Sequence, residues 1–106
     1  MFNLFKKDNK KEININNIDS LIGKINLIDI REPSEYSKGS IESAKNISMN
    51  NLLANPEKYL NKEEKYYIMC RSGGRSTKTC SKLKDMGFDV INVSGGIRSY
   101  VGNMKK

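Results

Sequence analysis

Residues 66–77, "YYIMCRSGGRST", decide how the rest of this chain is read. The aromatic and β-branched "YYIM" reads as a buried strand. It stops at Cys70, turns through Gly73 and Gly74 between Arg71 and Arg75, and ends in the hydroxyl residues Ser76 and Thr77. The following "STKTCSKLKDMGF" (76–88) carries small or apolar residues near helical spacing, so a helix is expected from about Ser76 or Thr77. Thr77, Cys80, Leu83 and Met86 are predicted on its buried side, with Gly87 as the stop. A strand that feeds a helix through a glycine-rich loop is the building unit of a parallel α/β sheet.

The neighbouring stretches repeat that unit. "INLIDI" (25–30) is apolar nearly throughout, as a strand covered on both faces would be. It gives way to "REPSEY" (31–36), where Pro33 suits the first position of a short helix. "EINI" (12–15) alternates like an edge strand, and Asn17 or Asp19 in "NNIDSLI" (16–22) is a plausible helix cap. "AKNISM" (44–49) is a third strand, and "NNLLANPEKYL" (50–60) makes one or two helical turns interrupted near Pro56. "DVINVSGG" (89–96) is a fifth strand closing in two glycines, followed by a final short helix in "IRSYVGNM" (97–104). The alternation predicts an α/β fold with a central, mostly parallel five-stranded sheet and helices on both faces.

Composition narrows the function. The chain has 106 residues, 37% of them hydrophobic, enough for one domain that buries roughly two thirds of its unfolded surface. Residues 1–11 read as a basic, flexible tail, 12–104 as one domain, and 105–106 as a basic end. The net charge is +7, of which residues 1–12 carry +2 and Lys105–Lys106 another +2. The remaining charge is too small to argue for nucleic acid. The chain has no histidine, which excludes Cys-His and Ser-His couples and removes the commonest zinc ligand, so no metal or cofactor is assigned. Two cysteines do not make a disulfide framework, and a reducing compartment, the cytoplasm, is expected. "MFNLFKKDNKK" places its apolar residues before its lysines, the reverse of a secretory leader, and no stretch approaches the ~20 apolar residues of a membrane span.

Cys70 falls at the carboxyl end of a central strand, the usual ligand position of open α/β sheets. Gly73 and Gly74 allow backbone conformations closed to other residues, so successive N–H groups can converge into an anion-binding nest. The helix N-terminus adds its positive dipole end, and Arg71 and Arg75 stand nearby. Such surroundings favour a thiolate and seat an oxyanion beside it. A cysteine alone would more often be a small buried hydrophobe, but the glycine pair and two arginines have no packing rationale.

Loop length separates two chemistries. Cys70 and Arg75 are spaced C-x4-R, whereas cysteine phosphatases and the arsenate reductases built on the same loop use C-x5-R, a ring wide enough for tetrahedral phosphate. Here the next residue is Ser76, and the tighter ring suits a single sulfur atom carried on the cysteine.

Three motifs in order then resemble the single-domain rhodaneses, which are sulfurtransferases: "LIDIREPSEYSKGSI" (27–41), "CRSGGRS" (70–76) and "VSGGIRSY" (93–100). The resemblance covers about Ile13 to Met104. It implies that Cys70 takes the outer sulfur of a donor such as thiosulfate, becomes a persulfide, and passes that sulfur to a nucleophilic acceptor. Arg71, Ser72, Gly73, Gly74, Arg75 and Ser76 would cradle the persulfide and attract the anionic donor, with Asp29 and Arg31 as supporting residues. The donor would be thiosulfate, a persulfide or a polysulfide, and a protein could serve as donor or acceptor. The family usually has a histidine where this chain has Ser40 and a tryptophan where it has Tyr100; neither supplies the nucleophile. Cys80, with Leu83 and Met86 at following i+3 positions, is expected to be a core cysteine. The alternatives are a cysteine phosphatase or arsenate reductase and a non-catalytic module that binds an anion or partner through the same loop.

Overall fold

The computed structural model describes residues 12–105; the basic segment 1–11 and Lys106 lie outside the described residues. Five strands, β1 (Glu12–Asn14), β2 (Asn26–Asp29), β3 (Lys45–Asn46), β4 (Lys65–Met69) and β5 (Asp89–Ser94), form one sheet in the order β1-β5-β4-β2-β3. All four pairings are parallel. The helices are α1 (Pro33–Tyr36), α2 (Met49–Ala54), α3 (Pro56–Tyr59), α4 (Gly74–Asp85) and α5 (Gly96–Ser99). From β2 the chain moves to β3 on one side, and from β4 to β5 on the other. The order therefore reverses between β2 and β4, and ligands of open α/β sheets bind outside the strand ends at such a point.

Strand alternation divides the core into two layers. On one face Tyr66 and Ile68 of β4, with Cys70 beyond it, pack with Leu52 of α2 and with Cys80 and Leu83 of α4. On the other, Met69 packs with Ile15, Ile18, Ile41 and Val93. Ile68 is fully buried, a burial worth about 1.5–3 kcal/mol.

Several local expectations need correction. Neither Asn17 nor Asp19 caps a helix: residues 15–17 and 19–21 form short 3-10 turns, and the Asn14 side chain caps the first by accepting the Asn16 N–H at 2.9 Å. The third strand shrinks to two residues, although Ile47 and Met49 still donate N–H bonds to the Asp29 and Ile30 carbonyls at 3.1 and 3.0 Å. Helix α4 begins at Gly74, ahead of Ser76, because the chain turns once at Gly73 (φ +106°) and enters the helix at once. Gly74 is therefore helical, and the left-handed backbone is needed at Gly73. The buried side of α4 is Ser76, Thr79, Cys80 and Leu83, while Thr77 and Met86 are exposed. Gly87 (φ +96°) does end the helix, with Phe88 N–H on the Leu83 carbonyl and Gly87 N–H on the Lys84 carbonyl, both at 3.0 Å. The last helix is displaced toward the glycines and stops before Tyr100.

Candidate active site

Cys70 leaves β4 with its sulfur turned under the loop that follows, and the residue is 1% exposed. The left-handed turn at Gly73 directs two backbone donors back at that sulfur: the N–H groups of Gly73 and Ser76 reach Sγ at 3.1 and 3.3 Å. The thiol itself donates to Ser76 Oγ at 3.5 Å. Ser76 Oγ donates in turn to the Gly73 carbonyl at 3.2 Å. The first turn of α4 points its N-terminus at the same place, so helix dipole and backbone N–H groups converge on the sulfur.

The two arginines of the loop diverge. Arg71 is exposed, as is Ser72 beside it. Arg75 instead forms a two-pronged ion pair with Glu35 of α1, Nη1 to Oε1 at 3.0 Å and Nη2 to Oε2 at 3.1 Å. That pair ties the helix after β2 to the helix after β4. The Arg75 guanidinium lowers the Glu35 carboxyl to about 2, and Glu35 raises Arg75 in return. Glu35 was not singled out from the sequence; the signal for it was its position three residues after Glu32, where its carboxylate accepts the Glu32 N–H and completes a capping box.

Asp29 and Arg31 meet at the end of β2, next to Cys70, since Ile30 N–H donates to the Met69 carbonyl at 3.0 Å. They form a buried pair, with Asp29 fully covered and Arg31 6% exposed. Arg31 Nη2 donates to Asp29 Oδ2 at 2.7 Å, and Arg31 N–H to Oδ1 at 3.0 Å. Ser40 Oγ donates to Oδ2 at 2.8 Å, and Arg31 Nη2 also reaches the Gly39 carbonyl at 2.8 Å. A buried carboxylate with this many donors stays paired rather than costing the fold a desolvated charge. Ser40 thus bridges to the pair by its side chain. Its backbone makes a two-way bridge with Lys105, at 2.8 and 2.7 Å.

The closing glycines explain how the loop is backed. Ile97 and Arg98, at the start of α5, donate N–H bonds to the Cys70 and Arg71 carbonyls at 2.9 and 2.8 Å. Gly96 (φ +67°) lies so close that an added Cβ would collide with the Arg71 carbonyl. Tyr100 donates its hydroxyl to Asp19 Oδ1 at 2.5 Å, and burial followed by that bond pushes it up to about 12. A cleft of about 590 Å³ opens beside the loop, between α1, Arg71, α5 and the segment to Met104. Cys80 is buried in the core, and desolvation pushes its thiol up to about 12.

Comparison with known proteins identifies the family. The profile of the family described as "Rhodanese-like domain" matches residues 7–103. The chain belongs to the rhodanese-like family. A relative in Bacillus subtilis, "Putative sulfurtransferase YtwF", is 41% identical over 81 residues, covering 74% of this chain and 76% of that protein. A second B. subtilis protein, "Putative sulfur carrier protein YrkF", is 35% identical over 79 residues, 74% of this chain but 42% of its own length. The crystal structure of a rhodanese-like domain protein from Staphylococcus aureus superposes with a TM-score of 0.79 at 29% identity, over 90% of this chain and 96% of that one. Among the described residues, no helix is long and apolar enough to cross a membrane, and no cluster of three or more His, Cys, Asp or Glu side chains is placed to hold a metal ion.

Proposed function

We propose that this protein is a sulfurtransferase that carries a sulfane sulfur on Cys70. The observation that carries the reading is the pair of backbone donors, Gly73 N–H and Ser76 N–H, aimed at Sγ inside a six-residue loop. The Cys70 thiolate attacks the outer sulfur of thiosulfate; a new S–S bond forms to Sγ, and the old S–S bond breaks with its electron pair leaving on sulfite. The resulting persulfide carries its negative charge on the outer sulfur, and the backbone N–H groups around Sγ are the donors nearest to it. A thiophilic acceptor then attacks the outer sulfur, and the electron pair of the breaking bond returns to Sγ.

Arg71, exposed beside Ser72, is the loop cation that attracts an anionic donor in this reading. The engagement of Arg75 with Glu35 supports sulfur transfer over phosphate-ester hydrolysis, which needs the loop arginine on the phosphate. Asp29 and Arg31, locked by Ser40, brace the adjoining strand end. Residues 12–104 form the working unit, and the cytoplasm suits a mechanism that needs a free thiol. Similarity to the B. subtilis putative sulfur carrier protein YrkF supports a protein sulfur carrier as one donor or acceptor.

Intact-protein mass after thiosulfate and then cyanide tests the reading, on wild type and Cys70→Ser in parallel. Wild type should gain the mass of one sulfur and release it as thiocyanate; Cys70→Ser should gain none. Equal loading of both proteins would remove Cys70 as the carrier.

A further inference from the structure

Resting on the sulfur-transfer reading, we propose that Asn92 is a positioning residue for the Cys70 loop. Through the Thr77 hydroxyl its side-chain amide fixes the Gly73 peptide, and so keeps the Gly73 and Ser76 N–H groups aimed at Sγ.

Asn92 stands out in its surroundings. It lies in β5 among Val90, Ile91 and Val93, all buried, and is itself 6% exposed. Strand alternation turns its side chain to the same face as Val90, which packs with Cys80 and Leu83 of α4. Asparagine is depleted in strands, and a buried amide that leaves an atom unpaired lowers stability. Asn92 does leave one: Oδ1 has no hydrogen-bond partner among the described residues. Packing alone would favour a β-branched apolar residue there. The polar contact that the side chain does make is a bond from Nδ2 to Thr77 Oγ1 at 3.2 Å.

That bond leads to the sulfur in two further steps. Thr77 Oγ1 donates its proton to the Gly73 carbonyl at 2.7 Å, so it meets Asn92 as an acceptor, and only the amide nitrogen can donate to it. Gly73 N–H in turn donates to Sγ at 3.1 Å. Gly73 has φ +106° and no Cβ, so sterics offer little resistance to its leaving this conformation. The donors on its carbonyl hold it instead, and the Thr77 hydroxyl is the shortest of them, ahead of Thr77 N–H at 3.0 Å and Ser76 Oγ at 3.2 Å.

The anchor of this relay is the sheet. β5 is an interior strand, with Asn92 paired to Ile68 of β4 on one side and to Glu12 of β1 on the other. Ile68 precedes Cys70 by two residues, so the sheet holds the loop twice: β4 delivers the cysteine, and β5 fixes the glycine turn through Asn92. Without the amide, the Thr77 hydroxyl is free to rotate away from Gly73, and the donors on Sγ lose their support.

The test compares Asn92→Val, Thr77→Val and the double variant with wild type. Thr77 is exposed, so Thr77→Val breaks the relay outside the core even if Asn92→Val fails to fold. Each single variant should load Cys70 from thiosulfate about tenfold more slowly, and the double variant should be no slower than either, because the two residues act through one relay. Thr77→Ser, which keeps the hydroxyl, should regain the rate lost in Thr77→Val. Amide hydrogen exchange gives a readout independent of sulfur transfer: Gly73 and Ser76 N–H should exchange about tenfold faster in each single variant, with Ile68 N–H unchanged. Losses of rate that multiply in the double variant, or Gly73 exchange equal to wild type in Thr77→Val, overturn the inference. An equal rise of exchange at Ile68 marks a general loss of stability and overturns it as well. Failure of wild type to load sulfur overturns the sulfurtransferase reading instead, and the exchange rates then decide the relay on their own.

Discussion

The backbone N–H of Arg98 donates to the Arg71 carbonyl at 2.8 Å, so the last helix holds the loop that presents Cys70. This contact exists because Gly96 has no side chain: a Cβ there would meet the Arg71 carbonyl and the Ser72 nitrogen, both backbone atoms with no freedom to swing aside. The positive φ of +67° adds strain to any replacement. Gly96→Ala is expected to cost about 1–3 kcal/mol, seen as a lower urea midpoint, and to slow sulfur loading by displacing the loop. A variant with unchanged midpoint and rate would show that the loop does not depend on this contact.

Ser76 should matter to chemistry more than to stability. Its hydroxyl shares the Gly73 carbonyl with two shorter donors, Thr77 N–H at 3.0 Å and Thr77 Oγ1 at 2.7 Å. That leaves the Ser76 hydroxyl able to turn toward a negatively charged Sγ, 3.5 Å away. Ser76→Ala should keep the backbone donor, change stability by about 1 kcal/mol or less, and reduce the rate of Cys70 loading about tenfold. Stopped-time mass spectrometry of the loading reaction checks this.

Glu35 links stability to pH. Its folded value of about 2 lies below the ordinary 4.5, so its stabilising contribution is complete above pH 4.5 and is lost as pH falls toward 2. Because the pair is partly exposed, that contribution is about 1 kcal/mol or less. Urea unfolding at pH 6 and pH 3 should show wild type losing more stability than Glu35→Gln over that interval. Identical losses would mean that the Arg75 contact contributes nothing in solution.

Cys80 should be silent in the folded protein. Burial holds its thiol protonated throughout neutral pH, with a value of about 12, and a thiol rather than a thiolate is a poor nucleophile. At pH 8 a thiol reagent such as DTNB should leave Cys80 unmodified until denaturant is added. Cys70→Ser protein isolates the signal, and rapid modification of it under native conditions would contradict the packing described.

Much of the site was legible because its determinants are local. A strand rich in aromatic and β-branched residues, a cysteine, a glycine pair and a helix are consecutive in "YYIMCRSGGRST", and each acts within a few residues of itself. Where local reasoning failed, the cause was competition from contacts distant in sequence. The "AKNISM" strand shortened to Lys45–Asn46, paired with Ile28 and Asp29 at the sheet edge. Met86 lies beyond the end of α4 at Asp85 and is exposed, while Ser76 and Thr79 share the buried side with Cys80 and Leu83.

The sequence by itself determined the α/β class, the five strands, the position of Cys70 at a strand end and the short C-x4-R loop, since periodicity, turn chemistry and residue spacing are properties of neighbouring residues. Tertiary structure alone decided the partners of those residues: Arg75 with Glu35, Ser40 with both Asp29 and Lys105, and α5 against the Cys70 loop. Arg75 meets Glu35 because β2 lies beside β4, and α5 meets the Cys70 loop because β4 lies beside β5. Strand order is set by the packing of two whole faces of the sheet, a balance over the entire core that no short stretch of sequence contains.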